Sequence, residues 1–270
     1  MKLQYKSYAK LNLFIRVLEK RPDGYHNIQS IFEKINLFDD MIFEKRKDNK
    51  IIIKSNVKSL EKKNIIFDVI NLMKNKSNIN NFGLNINLRK TIPVGAGLGG
   101  GSSNAAITFM ALNKLWDMKM SIGYLKKISL IVGSDIPFFL TEGNAWVEGI
   151  GDIITPIYTK PRYYILVNAG TCVSTRKIYK LIDNEVKHAP YDYDDYVGNR
   201  TNNDFLSVVL SLFPEIRTMY DHLMKIAPIK LTGTGGTFYF TCESEIDAKN
   251  LIKRIPRKYH PMVVKSLSFN

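Results

Sequence analysis

Pro93-Val94-Gly95-Ala96-Gly97-Leu98-Gly99-Gly100-Gly101-Ser102-Ser103-Asn104-Ala105-Ala106 is the most informative stretch of the chain. It places five glycines in the seven positions from Gly95 to Gly101. Glycine adopts backbone conformations closed to other residues, so such a run turns tightly and brings successive N–H groups close to an anion. Ser102 or Ser103 is placed to cap the helix that follows, whose N-terminus adds partial positive charge and N–H donors. The stretch therefore reads as a phosphate cradle. Two familiar loop designs fit it badly. A Walker A loop ends in Gly-Lys-Ser/Thr, and this one ends in Gly-Gly-Ser-Ser without a lysine. Gly95-x-Gly97-x-x-Gly100 satisfies the dinucleotide pattern, with Asp117 at a workable distance. That pattern needs glycine directly after a buried apolar strand, however, and Arg89-Lys90-Thr91-Ile92-Pro93 intervenes.

Upstream of the loop, Leu84-Asn85-Ile86-Asn87-Leu88 alternates strictly and predicts a half-buried strand. Between Asn64 and Lys74, apolar residues at Ile65, Ile66, Val69, Ile70, Leu72 and Met73 have the spacing of an amphipathic helix. Residues 1–55 read as strands with turns, with a strong turn signal at Arg21-Pro22-Asp23-Gly24 and a short strand at Ile51-Ile52-Ile53. Downstream, helices are predicted from Ser103 to about Trp116 and from Ile122 to Val132, where Gly133 stops the second. Pro156 and Pro161 mark a change of texture before the strand Tyr163–Val167, so domains are expected at 1–157 and 158–270. The second half predicts a polar stretch from His188 to Arg200 and a helix over Asp204–Leu212. A strand at Thr237–Phe240 and a last helix at Glu245–Arg254 complete it.

With 270 residues, 45% hydrophobic and 24% charged, the chain has globular composition and length enough to bury a real core. Its formal charge of +14 raises the question of nucleic acid. The lysines are scattered, as in Glu61-Lys62-Lys63-Asn64 and Lys74-Asn75-Lys76-Ser77, and form no basic helix or block with interleaved aromatics. A bias toward Lys, Asn and Ile accounts for most of the excess, and small anionic substrates rather than nucleic acid are the expected partners. No window approaches the roughly 18 consecutive apolar residues of a membrane span. Lys10, Asn12 and Arg16 interrupt the apolar residues of the start, and no cleavage site follows, so no membrane contact and a cytoplasmic address are expected. Cys172 and Cys242 show no C-x-x-C spacing and are expected as buried free thiols. The four histidines, His26, His188, His222 and His260, lie far apart, and no histidine metal centre is expected.

The run Pro-x-x-x-Gly-Leu-Gly-Gly-Gly-Ser-Ser-x-Ala-Ala resembles the second motif of the GHMP kinases, named for galactokinase, homoserine kinase, mevalonate kinase and phosphomevalonate kinase. Its doubled glycine is similar to the branch that acts on a cytidylylated methylerythritol. Ala9-Lys10-Leu11-Asn12-Leu13, followed by Arg21-Pro22-Asp23-Gly24-Tyr25-His26, resembles the same branch. The resemblance implies that residues Pro93 to Ser103 bind ATP, with Asn64 near the adenine. Lys10 and Asn12 would then face the phosphoryl acceptor, Tyr25 would stack on cytosine and His26 would read its polar edge. An aromatic ring does offer a face to a base, and neutral histidine donates and accepts in one plane. Val132-Gly133-Ser134-Asp135-Ile136-Pro137-Phe138-Phe139 resembles the segment that supplies the family's catalytic aspartate. Read locally, Asp135 could equally cap the next helix, with Pro137 in its first turn. A carboxylate beside Lys10 stays ionised and can take the acceptor hydroxyl's proton.

Val173-Ser174-Thr175-Arg176-Lys177-Ile178-Tyr179 resembles the segment that flanks the cytidine, which implies Thr175 as a polar contact and Tyr179 as a second stacking face, where phenylalanine is common. Leu231-Thr232-Gly233-Thr234-Gly235-Gly236-Thr237 resembles the third motif, a second glycine loop near the phosphates formed by Gly233, Thr234 and Gly235. Asn202-Asn203-Asp204-Phe205-Leu206 departs from the family, which tends to carry an acidic residue where Leu206 stands. The implied architecture is α+β, the two-domain GHMP kinase fold. It pairs an N-terminal α/β domain bearing the glycine-rich ATP loop with a C-terminal ferredoxin-like domain. The implied reaction is ATP-dependent phosphorylation of the 2-hydroxyl of 4-diphosphocytidyl-2-C-methyl-D-erythritol, with Mg2+ implied by ATP chemistry and no protein metal ligand assigned. Another GHMP kinase is the nearest alternative, although homoserine and mevalonate offer Tyr25 and His26 no base to stack. A basic nucleic-acid-binding protein and a dinucleotide-binding oxidoreductase stand further off.

Overall fold

Two long strands, β1 (Lys2–Lys20) and β2 (His26–Lys45), pair with each other and open the chain. The turn between them is the one the sequence signals, with Gly24 at φ +86° and its N–H donating to the Arg21 carbonyl at 3.0 Å. The structure, a computed structural model, describes residues 1–77, 79, 81–171, 173–182 and 188–268, with Arg176 described by its backbone only. Cys172 lies outside the described residues, whereas Cys242 is a buried free thiol. The chain packs as two units, one of residues 1–9, 37–93 and 99–142, the other of residues 10–36, 94–98 and 143–270.

In the first unit the second half of β2 runs antiparallel to β4 (Leu84–Arg89), which lies parallel to β3 (Ile51–Ser55). β4 buries Leu84, Ile86 and Leu88 and turns Asn87 and Arg89 outward, as its alternation predicts. Helix α1 (Ile65–Asn75) buries Ile66, Val69, Ile70 and Met73, one stripe at helical spacing. It packs on α2 (Gly100–Leu115), and α3 (Ile122–Ser129) and α4 (Ile136–Phe139) complete the unit. Helix α2 begins at Gly100 rather than at the predicted Ser103. Gly99 serves as its N-cap at φ +68°, and neither serine caps it. The start of α2 is therefore fixed by a left-handed glycine, which a search for a capping hydroxyl passes over.

In the second unit the first half of β2 pairs with β5 (Asn144–Glu148), and β5 with β6 (Ile153–Ile157). The C-terminal sheet comprises β7 (Tyr163–Asn168), β8 (Lys230–Leu231), β9 (Thr237–Cys242) and β10 (Met262–Lys265), in the order β10-β7-β9-β8 and antiparallel throughout. Helices α5 (Thr175–Ile182), α6 (Tyr193–Val197), α7 (Leu206–Leu212) and α8 (Pro214–Met224) lie between β7 and β8, and α9 (Glu245–Leu251) between β9 and β10. Numbered within the sheet, the order is 4-1-3-2 with helices after the first and third strands, which is the ferredoxin-like arrangement. Its core gathers Ile165, Val167, Ile178, Phe205, Val209, Ile216, Met219, Leu223, Phe238 and Phe240. Leu206 packs against this cluster. An acidic side chain there would need a partner for its charge, which explains physically how leucine is accommodated. Asp204 turns to β1 instead, accepting from the Val17 amide at 2.8 Å and from Arg16, and burial pushes its carboxyl above the usual range.

Glu33, on β2, is fully buried and accepts hydrogen bonds from the hydroxyls of Thr159 and Tyr164. Burial raises its pKa, and the two hydroxyls and the Arg162 charge oppose the shift without cancelling it. Because the folded value is raised, the stability it contributes is fully present below the ordinary glutamate pKa of about 4.3 and is lost as pH rises through the folded value. Glu33→Gln should therefore flatten the pH dependence of the unfolding midpoint above about pH 4. A wild-type slope in the variant would contradict this account of Glu33.

Candidate active site

The Lys10–Asn12 segment of β1 carries the first candidates. Residues two apart on a strand share a face, and Lys10 donates its ammonium to the Asn12 side-chain oxygen. Lys10 is 3% exposed, with its ammonium 4.5 Å from the Phe32 ring centroid. Asn12 donates in turn to the Ser30 hydroxyl at 3.0 Å, so both side chains are held from below.

Two glycine loops flank this segment within the same unit. The Lys10 amide donates to the Leu98 carbonyl at 3.0 Å, and the Asn12 amide to the Thr232 hydroxyl at 2.8 Å. The loops also touch each other, backbone to backbone. A Cβ on Gly97 would lie 2.7 Å from the Thr232 carbonyl oxygen, and one on Gly233 would lie 2.7 Å from the Gly97 oxygen. Gly97 and Gly233 have φ of +77° and +60°, so glycine is required at both by conformation as well as by space. Asn203 fixes the second loop, donating its side-chain amide to the carbonyls of Leu231 at 3.0 Å and Gly233 at 2.9 Å. Neither Asn203 nor Thr232 was among the site residues expected from sequence. The signal was present, since both lie inside motifs read there, but the partner each meets is far away in the chain.

The expected acceptor-side residues lie in this unit too. The Tyr179 ring sits 5.7 Å from that of His26, tilted by 32°, and meets Phe205 edge-on at 4.8 Å. Tyr25 is 60% exposed beside its turn, so the ring set against Tyr179 is that of His26. The Thr175 hydroxyl, at the head of α5, is 2.9 Å from that of Thr234, which ties it to the second glycine loop.

The remaining candidates belong to the other unit. Asn64 caps α1, accepting from the Ile66 amide at 3.1 Å and donating to the Leu60 carbonyl at 3.2 Å. At the head of α2, Ser103 is buried and receives a hydrogen bond from Ser7 at 2.7 Å, whereas Ser102 is half-buried. The two adjacent serines therefore face different surroundings, and the N-cap residue, Gly99, has no side chain to cap this helix end. Asp135 occupies the N-cap position of α4, with Pro137 in the first turn, yet its carboxylate makes no capping bond. Among the described residues no group of three or more His, Cys, Asp or Glu side chains could hold a metal ion.

The family description "GHMP kinases N terminal domain" matches residues 64–143, and "GHMP kinases C terminal" matches residues 196–261. The chain is 34% identical over 264 residues to a 4-diphosphocytidyl-2-C-methyl-D-erythritol kinase of Pasteurella multocida, covering 96% of this chain and 88% of that one. It is 35% identical to the protein of the same name from Francisella philomiragia, covering 98% and 96%. In fold it resembles a crystal structure of 4-(cytidine 5'-diphospho)-2C-methyl-D-erythritol kinase, with a TM-score of 0.84 at 23% identity over 99% of this chain and 100% of that one. The mevalonate kinase of Methanococcus jannaschii shares the fold at a TM-score of 0.68 and 17% identity, over 100% of this chain and 99% of that one. With relatives above the thirty-percent level along nearly its whole length, this chain belongs to the 4-diphosphocytidyl-2-C-methyl-D-erythritol kinase family of the GHMP kinases.

Proposed function

We propose that the chain transfers the γ-phosphoryl group of ATP to the 2-hydroxyl of 4-diphosphocytidyl-2-C-methyl-D-erythritol, giving the 2-phosphate and ADP. The observation that carries this reading is the meeting of two glycine loops, backbone to backbone, beside Lys10 and Asn12. Close backbone approach at glycine loops suits an oligophosphate. Magnesium arrives on the ATP phosphates as part of the substrate. It keeps several waters and needs only one or two protein oxygens, so no dedicated cluster is required.

In this reading Asp135 accepts the proton as the acceptor's O2–H bond breaks. The new O2–phosphorus bond forms, the bond from the γ-phosphorus to its bridging oxygen breaks, and ADP leaves with the electron pair. Asp135 is supported in this role by its motif, Gly133-Ser134-Asp135-Ile136-Pro137-Phe138-Phe139. Lys10, held by Asn12, offsets the negative charge that develops on the transferring group. His26 and Tyr179 take the cytosine, Thr175 contributes a hydroxyl, and Tyr25 closes over the base from its exposed turn. Among the described residues no helix is long and apolar enough to cross a membrane, and we place the enzyme in the cytoplasm with its small-molecule substrates.

Tyr179→Ala tests the acceptor side. A lost stacking face is worth about 1–1.5 kcal/mol, so the acceptor's KM should rise about tenfold while that of ATP stays within twofold. Equal rises in both constants would show that Tyr179 supports the unit rather than the base.

A further inference from the structure

A buried network ties together the two segments that bracket the glycine run, and the proposed chemistry makes no use of it. Its hub is Asp39 on β2, which is fully buried. The Asp39 carboxylate accepts from the amides of Thr91 at 2.7 Å and Ile92 at 2.9 Å. It also accepts from the Asn104 side-chain amide at 3.0 Å and from the Lys90 ammonium. Three of its donors therefore lie just before the run, and the fourth lies in the first turns of α2. Asn104 accepts from Lys90 at 3.2 Å and donates to Ser7 at 2.9 Å, and Ser7 donates to Ser103. Asn56 grips the Lys90 peptide from the other side, receiving from its amide at 2.7 Å and donating to its carbonyl at 3.0 Å. Gly100 lies so close over this segment that a Cβ there would meet the Ile92 Cγ2 at 2.8 Å.

A buried ion pair is weak evidence for stability, because desolvating both charges offsets much of their attraction. What a fully satisfied network does supply is one fixed arrangement of the groups it joins. Here those groups are residues 90–92 and the helix end whose amides stand at Gly100–Ser102.

We propose that Asp39 and Asn104 are positioning residues for the nucleotide. Together they lock the first turn of α2 against residues 90–92, so that the helix-end amides are in place before the phosphates arrive. Ordering that is complete in the free protein need not be supplied by binding. The inference rests on the reading of Gly99–Ser103 as a phosphate-binding turn. It does not depend on which acceptor is used.

The test is MgADP affinity by calorimetry, a quantity the acceptor's identity does not enter. Asn104→Ala cuts the tie from Asp39 to α2 while leaving the ion pair and both backbone bonds. It also removes the bonds to Ser7 and from Lys90, and it should raise the MgADP Kd about tenfold or more, with the acceptor's KM within twofold of wild type. Ser7→Ala removes one hydroxyl from the same chain of bonds and should raise the Kd about threefold. A lowered melting temperature with the Kd of Asn104→Ala unchanged would reduce the network to a structural one and overturn the proposal. If Asn104→Ala does not fold, Ser7→Ala decides alone, and an unchanged Kd overturns the proposal equally.

Discussion

Asp135→Asn should lower turnover about a thousandfold while leaving MgADP binding at the wild-type level, because a positioned general base typically contributes 10²–10⁴. Asparagine matches the carboxylate in shape and cannot take the acceptor's proton. The substitution costs no helix cap, since the Asp135 carboxylate makes no capping bond to α4. A loss of turnover at the wild-type melting temperature and MgADP affinity would therefore report on chemistry and not on folding. Lys10→Ala should be comparably inactive for a different reason. It removes the charge that offsets the phosphoryl oxygens and also strips Asn12 of the donor to its side-chain oxygen. Single-turnover rates beside calorimetric nucleotide affinities would check both, and an Asp135→Asn rate within tenfold of wild type would remove Asp135 from the role of base.

Gly97→Ala should drive the two glycine loops apart. At φ +77° a non-glycine residue pays roughly 1–2 kcal/mol in backbone strain. Its Cβ would also stand 2.7 Å from the Thr232 carbonyl, a backbone atom that cannot rotate away. The two glycine loops would have to part, and with them the hydrogen bonds that align Lys10 and Asn12. The expected result is a loss of stability of about 2–4 kcal/mol and a rise of roughly a hundredfold in the KM of ATP. Gly101→Ala is the control for stability, because a Cβ at that helical position meets nothing within 4 Å. It should unfold no earlier than wild type in denaturant, whereas a Gly97→Ala midpoint equal to wild type would show that the loops are not locked together.

Much of this was legible in the sequence where the signal is local. The alternation of Leu84–Leu88 and the periodicity of Asn64–Lys74 gave β4 and α1 within a residue or two. The glycine-rich segments were read as backbone approaching an anion, and that two of them meet each other was not foreseen. Helix α8 was not foreseen, although Pro214 heads it and Ile216, Met219 and Leu223 carry helical spacing. Its stripe is short and polar residues separate its members, so the pattern is faint without the core it packs on. Nor was it legible that β1 and β2 each serve two units, because the alternation of a long strand does not say which layer covers each half. The Asp39 network was invisible for a related reason. Ser7, Asp39, Lys90 and Asn104 are ordinary residues far apart in the chain, and only folding makes them neighbours.

The central claim is that this chain phosphorylates a cytidylylated acceptor, and ADP release tests it most directly. Purified protein with magnesium and ATP would be offered 4-diphosphocytidyl-2-C-methyl-D-erythritol, mevalonate, homoserine and galactose in parallel. The account predicts turnover with the first and none above background with the other three. Turnover with mevalonate, homoserine or galactose in place of the cytidylylated compound would keep the kinase fold and contradict the roles given to His26, Tyr25 and Tyr179.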